Sequence, residues 1–279
     1  MWIVVTDLDS TLLDHDGYSW RGAAVALRRL EQHGVPVVFC TSKTRAEVTV
    51  LRHATANRHP FIVENGAAVF FPAAEFRSLL PEAPLRDGFL VKELGTPYAR
   101  IVEELRRAAR EAGCRVKGFA DATPAEVAAW CEFSEEEAIL AMQREYDEPF
   151  LLEEGEPERL QAAITARGLH WTRGSRFWHL LGENNKGSAV RVLRAVYEQL
   201  GRPVRIAALG DSPNDLPLLA EADYAIVMPS GRSEEMRAAI PQAHLAPEPG
   251  SEGWGRAVLE ALPAWLANAG EIPREPFAF

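Results

Sequence analysis

The sequence predicts an α/β protein: a doubly wound, mostly parallel, Rossmann-like sheet interrupted by an inserted α+β domain. Three observations carry this reading. Short apolar runs, such as Ile3-Val4-Val5 and Val37-Val38-Phe39, recur towards both ends of the chain with amphipathic stretches between them, as in strands buried on both faces and joined by helices. Those runs end abruptly in polar residues: Asp7-Leu8-Asp9, Thr41-Ser42-Lys43, Glu64-Asn65 and Gly210-Asp211. Between about residues 85 and 183 the alternation gives way to helices set among hairpins, which reads as an α+β module with an antiparallel sheet.

The elements follow in order. After the first strand, the turn His15-Asp16-Gly17 leads to a helix over 22–33, with Ala24, Leu27 and Leu30 on its apolar side and Gly34 placed to end it. The second strand spans 35–40, and its helix opens near Thr44 and runs to His53. A third strand covers 61–63. Asn65-Gly66 is a hairpin signal, so 67–71 is expected to return beside it. Pro72, Pro81 and Pro84 then mark a boundary, giving a core of 1–83 and 184–279 around an insert of 84–183. Within the insert, helices are expected at 97–112 and 157–168. Thr123 and Ser134 each stand three residues before Glu, as in a capping box that opens a helix. Strands are expected at 115–119, 150–152, 170–172 and 177–181, the last two joined by the turn Arg173-Gly174-Ser175. Beyond the insert come a helix over 186–200, a strand over 204–209, a helix to about 222, a strand over 224–228 and a long helix over 253–267.

Composition narrows the function. With 279 residues, 47% of them hydrophobic, the chain can bury a large core. A net charge of −10 argues against a general nucleic-acid or anionic-membrane binder, whose affinity comes from clustered Lys and Arg. A small phosphorylated substrate remains compatible, since one local cation or metal suffices to hold it. Cys40, Cys114 and Cys131 are scattered without metal-ligand spacing and read as core residues of a reducing compartment. The first apolar run is broken at Asp7, and no run approaches the ~20 apolar residues of a membrane span. A cytoplasmic protein is expected, as a monomer or homodimer.

The chemistry lies in the polar strand ends. Parallel crossovers share one hand, so Asp7/Asp9, Thr41/Ser42/Lys43, Glu64/Asn65 and Asp211/Asp215 should open on one side of the sheet, where ligands of such folds collect. Carboxylates gathered there repel one another and call for a cation. Oxygen ligands without His or Cys point to Mg²⁺ before Ca²⁺. Lys186 follows Asn184-Asn185 at the start of a helix, well placed as a point charge for phosphate.

Asp7-Leu8-Asp9-Ser10-Thr11, the hydroxyl of Thr41, Lys186 and Gly210-Asp211-Ser212-Pro213-Asn214-Asp215 resemble, in that order, the four motifs of the haloacid dehalogenase superfamily of phosphatases. The insert resembles the sheet-containing cap domain of its Cof-type branch, as do Asn65-Gly66-Ala67 and Lys186-Gly187-Ser188-Ala189. More narrowly, Thr41-Ser42-Lys43-Thr44-Arg45-Ala46-Glu47, the stretch 174–180 and Gly253-Trp254 resemble the mannosyl-3-phosphoglycerate phosphatase family. Most Cof-type members read Thr-Gly-Arg where this chain has Thr41-Ser42-Lys43, which favours the narrower likeness. The resemblance covers nearly the whole chain.

It implies a Mg²⁺-dependent phosphomonoesterase that forms the compatible solute mannosylglycerate through an aspartyl phosphate. Asp7 would be the nucleophile and Asp9 the acid and base. Thr41 and Lys186 would hold phosphoryl oxygens. Asp7, the Asp9 carbonyl and Asp211 would hold Mg²⁺. Asp215 and Asn214 are further candidates for the ion or its surroundings, although Asp215 reads equally as a helix-start residue. Ser42, Lys43, Arg45, Asn65, Arg173 and Arg176 are candidates for substrate contact. Lys43 and Arg45 read otherwise as a solvated helix face, and Arg173, Arg176 and His179 as sheet-edge charges. Two alternatives stand beside this function: a phosphatase for glucosyl-3-phosphoglycerate or for sugar phosphates broadly, and a receiver-like phosphoacceptor, which would not need Asp9 or an inserted module.

Overall fold

The computed structural model describes residues 1–174 and 176–267. Ser175 of the expected 173–175 turn and the end of the second core segment, 268–279, lie outside the described residues. In chain order the elements are β1 (Trp2–Thr6), α1 (Ala24–Gln32), β2 (Val37–Cys40), α2 (Arg45–Ala54), β3 (Phe61–Val63), β4 (Ala68–Pro72), α3 (Ala73–Phe76), β5 (Leu85–Arg86) and β6 (Phe89–Glu93). There follow α4 (Tyr98–Ala112), β7 (Arg115–Gly118), α5 (Pro124–Cys131), α6 (Glu135–Ala141), β8 (Glu148–Glu154), α7 (Pro157–Thr165), β9 (His170–Arg173) and β10 (Trp178–Leu181). The chain closes with α8 (Lys186–Glu198), β11 (Arg205–Gly210), α9 (Leu216–Ala220), β12 (Tyr224–Val227), α10 (Ser233–Ala239), β13 (His244–Leu245) and α11 (Gly250–Ala267).

Among the described residues these strands make two sheets. The larger has the order β13-β12-β11-β1-β2-β3-β4-β6-β5. It is parallel from β13 to β3 and antiparallel beyond. The chain winds one way from β1 to β3 and the other way from β11 to β13, so the winding reverses between β1 and β11. Those two strands run in register, Thr6 beside Leu209. Period-2 alternation splits the core: Val4 and Leu209 face Leu30 and Trp254 on one side, while Ile3 and Val5 face Val190 and Leu193 on the other.

The second sheet, β7-β8-β10-β9, is antiparallel. Ile101 and Leu105 of α4 and Leu160 of α7 pack with Phe150 and Leu180 of this sheet, and α5 and α6 close over Phe119 and Phe177. Thr123–Glu126 and Ser134–Glu137 form the two expected capping boxes.

Residues 85–93 depart from expectation. β6 pairs with β4 from Ala68↔Glu93 to Pro72↔Phe89, and β5 pairs with β6. The prolines therefore punctuate a core excursion, and the sheet changes only after Glu93. We propose core segments of 1–93 and, among the described residues, 184–267 around a cap of 94–183.

Candidate active site

Asp7 leaves β1 with its N–H still bonded to the Leu209 carbonyl at 3.0 Å, which keeps the ends of β1 and β11 side by side. Its carbonyl accepts from Thr6 Oγ1 (2.7 Å), which in turn accepts from the indole N–H of Trp254 (2.9 Å). Trp254 is buried and so braces the first site residue from α11. Packing alone accounted for this tryptophan at the level of sequence; no local spacing announces its hydrogen bond.

Lys186 begins α8, whose cap is the side chain of Asn185. Its Nζ lies 2.6 Å from Asp7 Oδ1 and 2.5 Å from Asp215 Oδ1, and its side chain is wholly buried. Asp215 holds the turn and the lysine at once. Its Oδ2 accepts from the N–H groups of Asp211 and Ser212, closing the turn after β11, while Oδ1 takes the lysine. The 64–66 turn packs closely against the backbone just before the lysine. Gly66 has φ +87, and a Cβ on it would stand 2.2 Å from the Asn185 carbonyl oxygen.

Carboxylate oxygens of Asp7, Asp211 and Asp215 lie within 4.8 Å of one another. Burial, and behind it Asp215 and Asp211, pushes Asp7 well above the usual carboxylate range against the pull of Lys186. Burial and Asp215 push Asp211 up to about 7. One ammonium thus faces three crowded carboxyls. An all-oxygen donor set with this surplus of negative charge fits a hard divalent cation.

Asp9 points elsewhere. Its Oδ1 pairs with Lys43 Nζ at 3.0 Å. Lys43 also reaches Glu47 at 3.5 Å and lies over the rings of Tyr18 and Phe133. Burial works against its charge, but Asp9 and Glu47 hold it above the ordinary lysine range.

A cleft of about 150 Å³ opens between these strand ends and the cap. Of the candidates named from the sequence, Asp7, Asp9, Ser42, Lys43, Arg176, Asp211 and Asn214 line it. Arg176 is bonded to the Trp130 carbonyl and paired with Glu132. The other expected residues stand off the lining. Thr41 is buried at the end of β2, its hydroxyl accepting from Lys43 N–H. Arg45 pairs with Glu145 and Asp87. Arg173 lies over Trp178. Asn65 donates to Asp147 and accepts from Asn214. A larger open groove of about 1210 Å³ beside Arg52 and Phe89 includes none of these strand-end carboxylates.

The cap is fastened over the cleft. Buried Glu64 accepts the N–H groups of Glu145, Tyr146 and Asp147 at 2.8–2.9 Å. Thr44 Oγ1 donates to Leu140 O, and Arg144 donates to Ser42 O. Cap residues His179 and Arg144 also line the cleft. His179 Nδ1 lies 2.9 Å from Asp147 Oδ1. Burial works against the Asp147 charge, but His179 and Arg144 hold it below the usual carboxylate range. The sequence favours an edge charge over substrate contact for His179 and does not mark Asp147 or Arg144. These contacts join residues tens of positions apart and leave no local signature.

A profile described as haloacid dehalogenase-like hydrolase matches residues 4–82. The glucosyl-3-phosphoglycerate/mannosyl-3-phosphoglycerate phosphatase of Methanococcoides burtonii is 39% identical over 264 residues, covering 93% of this chain and 97% of that one. The chain belongs to the haloacid dehalogenase-like hydrolases. It is a phosphatase, and the receiver-like alternative falls with that. The Persephonella marina phosphatase with the same name is 35% identical to this phosphatase over 263 residues, again 93% and 97% of the two chains. The fold is shared with a Thermoplasma acidophilum protein (TM-score 0.65, 16% identity, 93% and 97% coverage). It is shared too with a superfamily phosphatase of Bacteroides thetaiotaomicron (TM-score 0.64, 18% identity, 93% and 94% coverage). Among the described residues no helix is long and apolar enough to cross a membrane.

Proposed function

We propose that this phosphatase is a cytoplasmic, Mg²⁺-dependent enzyme that hydrolyses mannosyl-3-phosphoglycerate to mannosylglycerate and phosphate through an aspartyl phosphate. The observation that carries the reading is the meeting of Asp7, Lys186, Asp211 and Asp215 at one sheet edge, in a chain whose relatives are named for this activity.

The Asp7 carboxylate attacks phosphorus and the ester oxygen leaves. Asp9, two residues on and within the same cleft, gives the leaving alkoxide its proton and then takes one from the water that opens the acyl phosphate. Lys186 balances charge on Asp7 and on the phosphoryl oxygens, with Thr41 and the N–H groups at the start of α2 beside it. Asp7, the Asp9 carbonyl and Asp211 would hold Mg²⁺, with Asp215 and Asn214 behind them. When bound, the ion neutralises charge on the transferring phosphoryl group. Ser42, Lys43 and Arg176 face the rest of the substrate. Asn65 supports the Asn214 side of the site. Arg45 is bonded to Glu145 and Asp87, and Arg173 lies over Trp178, both off the cleft lining. The seated cap excludes bulk water during transfer.

The relatives' names include a glucosyl substrate, so glucosyl-3-phosphoglycerate is the second reading. Steady-state rates over glycosyl-phosphoglycerates and hexose phosphates, with Mg²⁺ and with EDTA, test the proposal. Glycosyl-3-phosphoglycerates should lead, and chelation should stop turnover. Hexose phosphates running faster would overturn the substrate assignment.

A further inference from the structure

The cations around the cleft are nearly all committed. Lys43 is paired with Asp9 and Glu47, Arg176 with Glu132, and Lys186 with Asp7 and Asp215. The imidazole of His179 is held by Asp147, and that of His15 meets Ser10 Oγ. Arg144 differs. It lines the cleft, yet among the described residues no carboxylate oxygen lies within 4.0 Å of its guanidinium. One nitrogen, Nη1, donates to the Ser42 carbonyl at 2.7 Å, while Nε is buried with no partner. The edge that bears Nε–H and Nη2–H is therefore left without an acceptor. A buried donor without an acceptor is costly. The nearby acids do not relieve it: Asp147 is engaged by His179 and Asn65, and Glu64 by three backbone N–H groups.

A guanidinium edge with two parallel N–H groups matches a carboxylate in a two-point pair. We propose that Arg144 reads a carboxylate on the substrate, so that the cleft selects phosphate esters bearing a second, carboxylic anion over neutral sugar phosphates. This rests on the phosphoglycerate reading above and assigns the side chain that enforces it. Arg144 belongs to the segment between α6 and β8 and meets the core through Ser42. Carboxylate recognition and seating of the cap are then one event: the arginine is in place only when the cap rests on the 41–44 loop.

The test is a ratio. kcat/KM is measured for mannosyl-3-phosphoglycerate and for its analogue with the carboxylate reduced to CH₂OH, in wild type, R144M and R144K. The wild type should prefer the carboxylate ester. R144M should lose about 10- to 100-fold of that preference, the scale of a charged hydrogen-bonded pair, mostly in KM. R144K should keep part of it. Because both esters are assayed on one preparation, a smaller folded fraction cancels from the ratio. A preference unchanged in R144M overturns the Arg144 assignment and leaves the phosphoglycerate reading standing. A wild type that favours hexose phosphates and ignores the carboxylate overturns both.

Discussion

Lys186 Nζ stands 2.6 Å from Asp7 Oδ1 across 179 residues of chain, with the ammonium buried beneath the carboxylate. The same nitrogen holds Asp215, which closes the turn carrying Asp211. One side chain thus bridges the two strand ends and lowers the cost of keeping the nucleophile charged. Breaking such a buried pair from one side costs about 3–5 kcal/mol. K186M should lose stability on that scale in urea unfolding at neutral pH, along with its activity. A loss under 1 kcal/mol would mean that the carboxyls there are already neutral.

The two first-motif carboxylates have separable tasks. D7N should abolish turnover. D9N should slow it by about 10²–10⁴-fold and let the phosphoenzyme accumulate, read by acid quench and mass spectrometry. Near-normal rates in D7N would rule out this nucleophile.

Crowding of Asp7, Asp211 and Asp215 makes the metal a folding ligand as well as a cofactor. Mg²⁺ at about 100 times its Kd should add roughly 3 kcal/mol of stability, seen as a rise in Tm that EDTA reverses. D211N removes one donor and one repulsive charge together. It should be more stable than wild type without metal and should gain less from Mg²⁺. An equal Mg²⁺ shift in both proteins would place the ion elsewhere.

Glu148, in the cap, accepts from Tyr98 Oη and Ala120 N–H, but burial outweighs both and pushes its carboxyl up to about 7. A carboxyl raised in the folded state stabilises most when protonated in both states. Its contribution is full below the unfolded value near 4.5 and is lost as pH rises through 7. The stability of wild type relative to E148Q should therefore fall by about 3 kcal/mol between acid and mildly alkaline pH. A flat difference would show that Glu148 titrates normally.

Gly66 is the closest backbone crossing in the site. G66A sets a Cβ 2.2 Å from a carbonyl oxygen of the turn before Lys186, at a positive φ that alanine disfavours. Destabilisation of at least about 1–3 kcal/mol is expected, with kcat falling further than stability as Lys186 shifts. Unaltered Tm and kcat would show that the turn can yield.

Much of the core was legible. Ile3-Val4-Val5 and Val37-Val38-Phe39 are strands because no other arrangement buries so many β-branched and aromatic side chains on both faces. Thr123 and Ser134 announced their helices by local capping. The 85–93 strands were missed because prolines mark a break in local structure without saying whether the chain returns to the same sheet. α10 and β13 were missed as well: seven and two residues offer too short a period to read.

By itself the sequence determined where polar groups interrupt buried strands, and hence that Asp7, Asp9, Thr41, Asn65 and Asp211 lie at element ends, because such signals are written within a few residues. Tertiary structure decided the partners. That Lys43 answers Asp9, that Trp254 braces Asp7 through Thr6, and that Arg144 enters the cleft with its Nε–H unpartnered depend on contacts across 34 to about 250 positions. Side-chain distances of 3 Å follow from how whole layers pack, and no spacing along the chain encodes them.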